Sequence, residues 1–128
     1  MNLLLDTHVA LWAITDSPKL PPKARALITS PTTNVWVSTA SIWEIAIKHS
    51  LGRGDMPISG AEAQRYFSAS GYRCLPIEPE HAVAVEDLPT HHHDPFDRIL
   101  VAQALTEPMR LMTHDAQVAR YSDTIIKI

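Results

Sequence analysis

The chain has a single cysteine, Cys74, among 128 residues. No internal disulfide can form, and a reducing cytoplasm is the expected compartment. Nor is there an excess of basic residues: 11 Lys and Arg stand against 14 Asp and Glu, for a formal net charge of −3. Bulk electrostatics therefore do not mark a polyanion binder, and a nucleic acid would have to be held by local cations or by metal. No apolar run approaches the ~20 residues of a membrane span. Asp6 comes too early for a signal peptide to be expected. Repeats, low-complexity tracts and linkers are also missing. What remains is the composition of an ordinary globular protein, with one domain expected over residues 1–128 and enough chain for a real core.

The hydrophobic pattern alternates short strands with helices. Met1 to Leu5 is a short apolar run that reads as a buried strand. Thr7 to Ile14 follows as a well-buried helix, and Pro21-Pro22 opens a second helix over Lys23 to Thr29. Asn34 to Ser38 is β-branched and alternating, hence a strand. Ser38-Thr39 caps the next helix, which runs to about Leu51 before Gly52. Gly60 to Ser70 predicts a helix burying Ala63, Tyr66 and Phe67, and Arg73 to Ile77 a third strand with Cys74 as a small buried hydrophobe. Pro79 to Leu88 predicts a short helix with Ala82, Val83 and Val85 inward. A polar loop follows, then a helix over Phe96 to Thr106, a strand over Arg110 to Thr113, a short helix over Ala116 to Tyr121 and a last strand over Ile125 to Ile128. This order predicts an α/β fold, a central parallel sheet flanked by helices on both faces.

Four acids sit against core-forming sequence. Asp6 closes Leu3-Leu4-Leu5, Glu44 lies within Ile42-Trp43-Glu44-Ile45, Asp97 opens an apolar helix, and Asp115 follows Leu111-Met112-Thr113. An unpartnered carboxylate is costly in such places. Taken singly, each fits an ordinary role. Asp6 and Asp115 can cap helices, Glu44 can pair with Lys48 at i,i+4, and Asp97 can pair with Arg98 or favour a helix start. Taken together they suit one or two oxygen-ligated divalent cations, Mg²⁺ or Mn²⁺ rather than zinc. In a parallel sheet Asp6 and Asp115 fall at the carboxyl ends of strands, where ligands bind. A metal-dependent phosphodiester chemistry follows.

The same segments carry a resemblance. Leu3-Leu4-Leu5-Asp6-Thr7-His8, Ser41-Ile42-Trp43-Glu44-Ile45-Ala46-Ile47-Lys48, Asp94-Pro95-Phe96-Asp97-Arg98 through Ala102-Gln103-Ala104, and Met112-Thr113-His114-Asp115 resemble the successive motifs of PIN domains, and more closely those of VapC toxins from bacterial toxin–antitoxin pairs. The match runs in order over essentially the whole chain. Its Trp-Glu and Asp-Pro-Phe-Asp-Arg segments are specific, whereas the opening strand and Asp-Thr are not. The resemblance implies a Mg²⁺- or Mn²⁺-dependent endoribonuclease acting on transfer or ribosomal RNA. It also implies a homodimer and a VapB-like antitoxin.

By position, Asp6, Glu44 and Asp97 match the core acids and Asp115 the more variable fourth. Thr7 and Thr113 match hydroxyl positions suited to holding a metal-bound water. Asp94 is assigned a supporting or loop-capping role. His114 departs from the small or polar residue usual there and bears on local access. Lys48, Arg53 and Arg98 are the candidate phosphate contacts, with His93 beside them. His91, His92 and His93 do not make a zinc site, because consecutive histidines cannot all face one ion and no Cys or HExxH helix supports them. Trp12 and Trp43 are read as core.

Rival readings are separable. A phosphoaspartyl phosphatase would carry a second Asp at the position of His8. A receiver domain needs an acidic pair where Asp6 stands alone. A metal nuclease acting on DNA and a non-catalytic RNA- or partner-binding module remain open alternatives, which a metal titration with an RNA cleavage assay distinguishes.

Overall fold

The computed structural model describes residues 1–52 and 56–128. Five strands, β1 (Asn2–Leu5), β2 (Asn34–Ser38), β3 (Arg73–Leu75), β4 (Arg110–Thr113) and β5 (Ile126–Lys127), form one sheet in the order β3-β2-β1-β4-β5. Every pairing is parallel, with Leu4 opposite both Trp36 and Leu111 in the central register. Helices α1 (Thr7–Ile14), α2 (Pro22–Thr29), α3 (Thr39–Ser50), α4 (Gly60–Ala69), α5 (Pro79–Ala84), α6 (Pro95–Thr106) and α7 (Ala116–Ala119) make the connections.

β1 is central and covered on both faces, so it reads as a continuous apolar run rather than an alternating one. Its side chains still alternate in direction. Leu3 and Leu5 join one core with Val9, Val35, Val37, Ile45, Ala63 and Phe67. Leu4 joins the other with Leu100, Val101, Ala104, Leu111 and Val118. All three leucines are fully buried, a contribution of about 1.5–3 kcal/mol each.

Helix α3 is held tightly against α4. A β-carbon added at Gly60 would lie 2.9 Å from Cβ of Ala46, so glycine permits the approach. Ser59 and Glu62 form a reciprocal capping box at the start of α4, which satisfies two backbone donors. At the other end of α3, Gly52 has φ +68°, a left-handed conformation in which a side chain is strained.

Several side chains face differently from expectation. Tyr66 and Val83 are exposed, and the buried residue of α5 is His81, with Ala82 exposed and Val85 half-buried. Cys74 is exposed on the edge strand β3 rather than buried, because an edge position lacks a second strand and full helix cover. Trp43 is 59% exposed rather than core. Its ring leans on Phe96 at a centroid distance of 5.2 Å.

Candidate active site

β1 leads to β2 and β3 on one side of the sheet, while β4 and β5 lie on the other. The connections leaving β1 and β4 therefore part between them and open a crevice, the usual ligand position in such sheets. Asp6 follows β1 directly, and Asp115 comes two residues after β4.

Asp6 is nearly buried, and each carboxylate oxygen has a donor. The backbone N–H of Val9 donates to Oδ1 at 2.9 Å and the Thr113 hydroxyl to Oδ2 at 2.6 Å. Asp6 thus caps α1 and crosslinks β1 to β4. Burial pushes its carboxyl above the ordinary aspartate range, against the opposing pull of the Thr113 and Val9 hydrogen bonds and of His114 and His8. The Asp115 backbone N–H donates to the Thr113 hydroxyl oxygen at 3.0 Å, so one hydroxyl ties two acids together.

Glu44 sits in the second turn of α3 and is also nearly buried. The Thr7 hydroxyl donates to Oε1 at 2.7 Å and lies 2.9 Å from the Ser41 hydroxyl. Lys48 Nζ donates to Oε2 at 2.7 Å. The expected i,i+4 pair is present, but inside the site rather than on a solvated face.

Asp97 occupies the first turn of α6, beside Pro95 and the capping Asp94. The Asp94 Oδ1 accepts from the backbone N–H groups of Phe96 and Asp97. The Asp97 carboxyl is pushed up to about 7. Burial is the main cause, followed by the charge of Asp94. Asp6 and Glu44 add to it, and the His92 contact opposes it. Asp115 caps α7, accepting from Gln117 and Val118 through Oδ1.

Asp6, Glu44, Asp94, Asp97 and Asp115 all line one cleft of about 180 Å³, together with Thr7, His8, Lys48 and His114. Five carboxylates face one ammonium there among the described residues. Negative charge exceeds its protein partners, and it adds to the burial that raises the Asp97 carboxyl. Oxygen donors with uncompensated charge fit a hard divalent cation.

Other expectations are redistributed. Thr7 and Thr113 donate their protons to Glu44 and Asp6, so both hydroxyls orient carboxylates. Arg98, a candidate phosphate contact, has its guanidinium engaged by the protein. Its guanidinium donates to the carbonyls of Pro89 and Val85 and to the Tyr121 hydroxyl, which knits the loop before α6 to the fold. Arg53 lies outside the described residues. His93 is exposed, and it is His92 that reaches the site. His92 Nε2 lies 3.2 Å from Asp97 Oδ2, and Nδ1 lies 2.9 Å from the Tyr121 hydroxyl. Only tertiary packing on Tyr121 distinguishes these neighbours. His114 Nδ1 is 3.9 Å from Asp6 Oδ2, close enough for charge but too long for a hydrogen bond.

A second group of polar side chains, Glu80, His81 and Glu107, brings its ligand-type atoms within 4.8 Å of one another. It lies at the opposite end of α6, about 15 Å along the helix from Asp97. His81 Nδ1 accepts from the Glu78 backbone N–H at 2.9 Å, so Nε2 carries the proton and donates to Glu107 at 2.6 Å. Both ring nitrogens are engaged in joining α5 to the end of α6.

The family model for the PIN domain matches residues 3–123, and the chain belongs to that family. PIN domains are typically metal-dependent nucleases. Among solved structures, it is similar to VapBC2 from Rickettsia felis bound to a promoter DNA fragment (TM-score 0.71, 15% identity, 100% of this chain and 98% of that one). It is also similar to VapBC-1 from nontypeable Haemophilus influenzae (0.65, 16%, 100% and 97%) and to the PIN domain endonuclease Utp24 (0.54, 16%, 94% and 75%). No curated protein matches the sequence significantly.

Proposed function

We propose that the protein is a Mg²⁺- or Mn²⁺-dependent endoribonuclease and the toxin of a VapBC-type pair. The observation that carries this is the single cleft lined by Asp6, Glu44, Asp97 and Asp115, where burial above all, with the neighbouring acids adding to it, raises the Asp97 carboxyl to about 7. Those four residues would hold the ion. When bound, it supplies an activated water and stabilises charge on the leaving oxygen of the phosphodiester.

The chain's own residues position these groups. Thr113 orients Asp6, and Thr7 with Ser41 orients Glu44. His92 contacts Asp97. Asp94 holds the first turn of α6, and Lys48 lines the cleft where a phosphate oxygen enters. Catalysis is then mainly positioning and charge stabilisation, with no side-chain nucleophile.

The likeness to VapBC complexes supports an antitoxin partner. A cationic antitoxin side chain entering the carboxylate cleft would block metal and substrate together. The substrate is transfer or ribosomal RNA, the working form a homodimer and the compartment the cytoplasm. No helix among the described residues is long and apolar enough to cross a membrane.

The test is cleavage of a total bacterial RNA pool by antitoxin-free protein, with Mg²⁺ or Mn²⁺ against EDTA and with Asp6→Asn alongside. Discrete metal-dependent cuts that vanish in the variant are expected. A folded Asp6→Asn protein that cleaves like the wild type overturns the reading. Cleavage confined to DNA redirects it to the other sugar.

A further inference from the structure

A groove of about 500 Å³ adjoins the acidic cleft, a size within the range of small-ligand sites. Its walls include Leu11, Trp12 and Lys19 from α1 and the turn after it, and Pro57. The remaining walls include His8 and His114, which also line the cleft. Three of these side chains form an aromatic group. The Trp12 and His114 centroids are 4.8 Å apart, His8 and His114 meet edge-on at 5.5 Å, and His8 and Trp12 lie 6.3 Å apart. Trp12 is partly buried against the core, which holds the indole in place. Lys19 is exposed, and among the described residues no carboxylate is within ion-pair reach of its ammonium.

We infer that this groove binds the nucleotide of single-stranded RNA next to the cleaved phosphodiester, its base against the Trp12 indole and a flanking phosphate at Lys19. The inference rests on the ribonuclease reading above and names a part of the substrate which that reading leaves open. A phosphodiester held among the carboxylates must carry its flanking nucleotides into adjoining space. The groove sharing His8 and His114 is such a space. Unpaired bases of RNA loops are recognised by stacking on aromatic side chains. Stacking tolerates any base, and a lysine nearby meets the backbone charge. In a chain of net charge −3, an exposed ammonium with no carboxylate partner among the described residues, beside an acidic cleft, offers a foothold for a polyanion. Its walls set apolar Leu11, Trp12 and Pro57 beside two imidazoles and a lysine, the pairing of a stacking surface with a cation that a nucleotide needs.

The experiment uses a single-stranded oligoribonucleotide carrying 2-aminopurine, titrated into antitoxin-free protein in EDTA, followed by cleavage kinetics with Mn²⁺. Stacking in the groove quenches the fluorophore. Trp12→Ala should weaken binding about tenfold. It should raise KM by a similar factor with kcat within about twofold, the signature of lost uniform binding. Trp12→Phe should restore most of the affinity. Lys19→Glu is a surface change that leaves the core intact. It should weaken binding several-fold and lower the salt dependence by about one ion. Circular dichroism checks the fold of each variant. Folded variants that bind and cleave as the wild type does overturn the subsite and leave the nuclease reading standing. Wild-type protein that neither binds nor cleaves RNA overturns the nuclease reading itself. Variants that keep full RNA affinity but escape inhibition by an antitoxin peptide mark the groove as a protein-docking face and overturn the subsite too.

Discussion

The two ends of α6 carry polar clusters built from the same residue types to opposite purposes. At its first turn, Asp97 joins four other carboxylates lining the cleft, and charge is left over. At its last, Glu107 meets a fully buried His81 whose two nitrogens are both matched. A cluster whose hydrogen bonds close on themselves holds a fold together. One that closes them and still carries surplus charge is poised to accept a cation. Glu80, His81 and Glu107 also bring ligand-type atoms within 4.8 Å of one another, but there the two imidazole nitrogens are taken up in joining α5 to α6.

Substitutions at the two ends should part company. Asp97→Asn is expected to reduce metal-dependent RNA cleavage by more than 100-fold, since even outer partners of metal ligands commonly cost about 10–100-fold. A single-turnover cleavage assay measures it. Loss of less than tenfold would remove Asp97 from the catalytic set. Thr113→Val removes the proton donated to Asp6 and the acceptor for the Asp115 N–H. It should lower cleavage by about 10–100-fold, with metal affinity from calorimetry falling in parallel.

His81→Ala tests the other end. It strands the Glu78 N–H and leaves a void between α5 and α6, at a cost of about 3 kcal/mol in urea unfolding. Cleavage per folded molecule should stay at the wild-type level. A matching loss of activity would mean that the far end of α6 helps to shape the cleft.

The subtlest expected effect is on pH dependence without metal. The Asp97 carboxyl is near 7 in the fold against an ordinary 3.8, so the native protein keeps a proton that the unfolded chain has released. That stabilisation is complete below about pH 4 and is lost as pH rises through about 7. In EDTA, wild-type melting temperature should therefore fall across this window relative to Asp97→Asn, which cannot ionise. Parallel melting curves for the two proteins from acid to neutral pH would show that the carboxyl is not held neutral. At the His81 end, where both nitrogens are matched, His81→Gln should not reproduce this divergence.

Much of the fold was legible because periodicity reports element type directly. Leu3-Leu4-Leu5 read as a buried strand, Pro21-Pro22 opened a helix, Ser38-Thr39 capped another, and Gly52 ended it. The acids Asp6, Glu44, Asp97 and Asp115 stood out because carboxylates beside core sequence demand partners. The orientation of single side chains was less legible. Trp43, Tyr66 and Val83 have the chemistry of core residues yet are exposed, Trp43 meeting the Phe96 ring edge-on. Cys74 is exposed because β3 is an edge strand, a matter of strand order that local sequence does not encode. His92 and His93 differ only in which one the loop turns toward Tyr121 and Asp97. Arg98, adjacent to Asp97, donates to the carbonyls of Val85 and Pro89, partners that its sequence position does not reveal.

By itself, then, the sequence determined the parallel α/β architecture and the acid set, with Asp6, Asp97 and Asp115 at strand ends or helix starts and Glu44 inside a helix, because these follow from residue spacing along the chain. The tertiary structure alone decided that the acids share one cleft at the point where β1 and β4 diverge, that Thr7 and Thr113 reach across to hold Glu44 and Asp6, and that His81 closes the far end of α6. Thr7 and Glu44 lie 37 residues apart, and Asp6 and Thr113 lie 107 apart. Only packing of the sheet and helices makes such contacts, and a carboxylate pKa depends on which charges packing brings near.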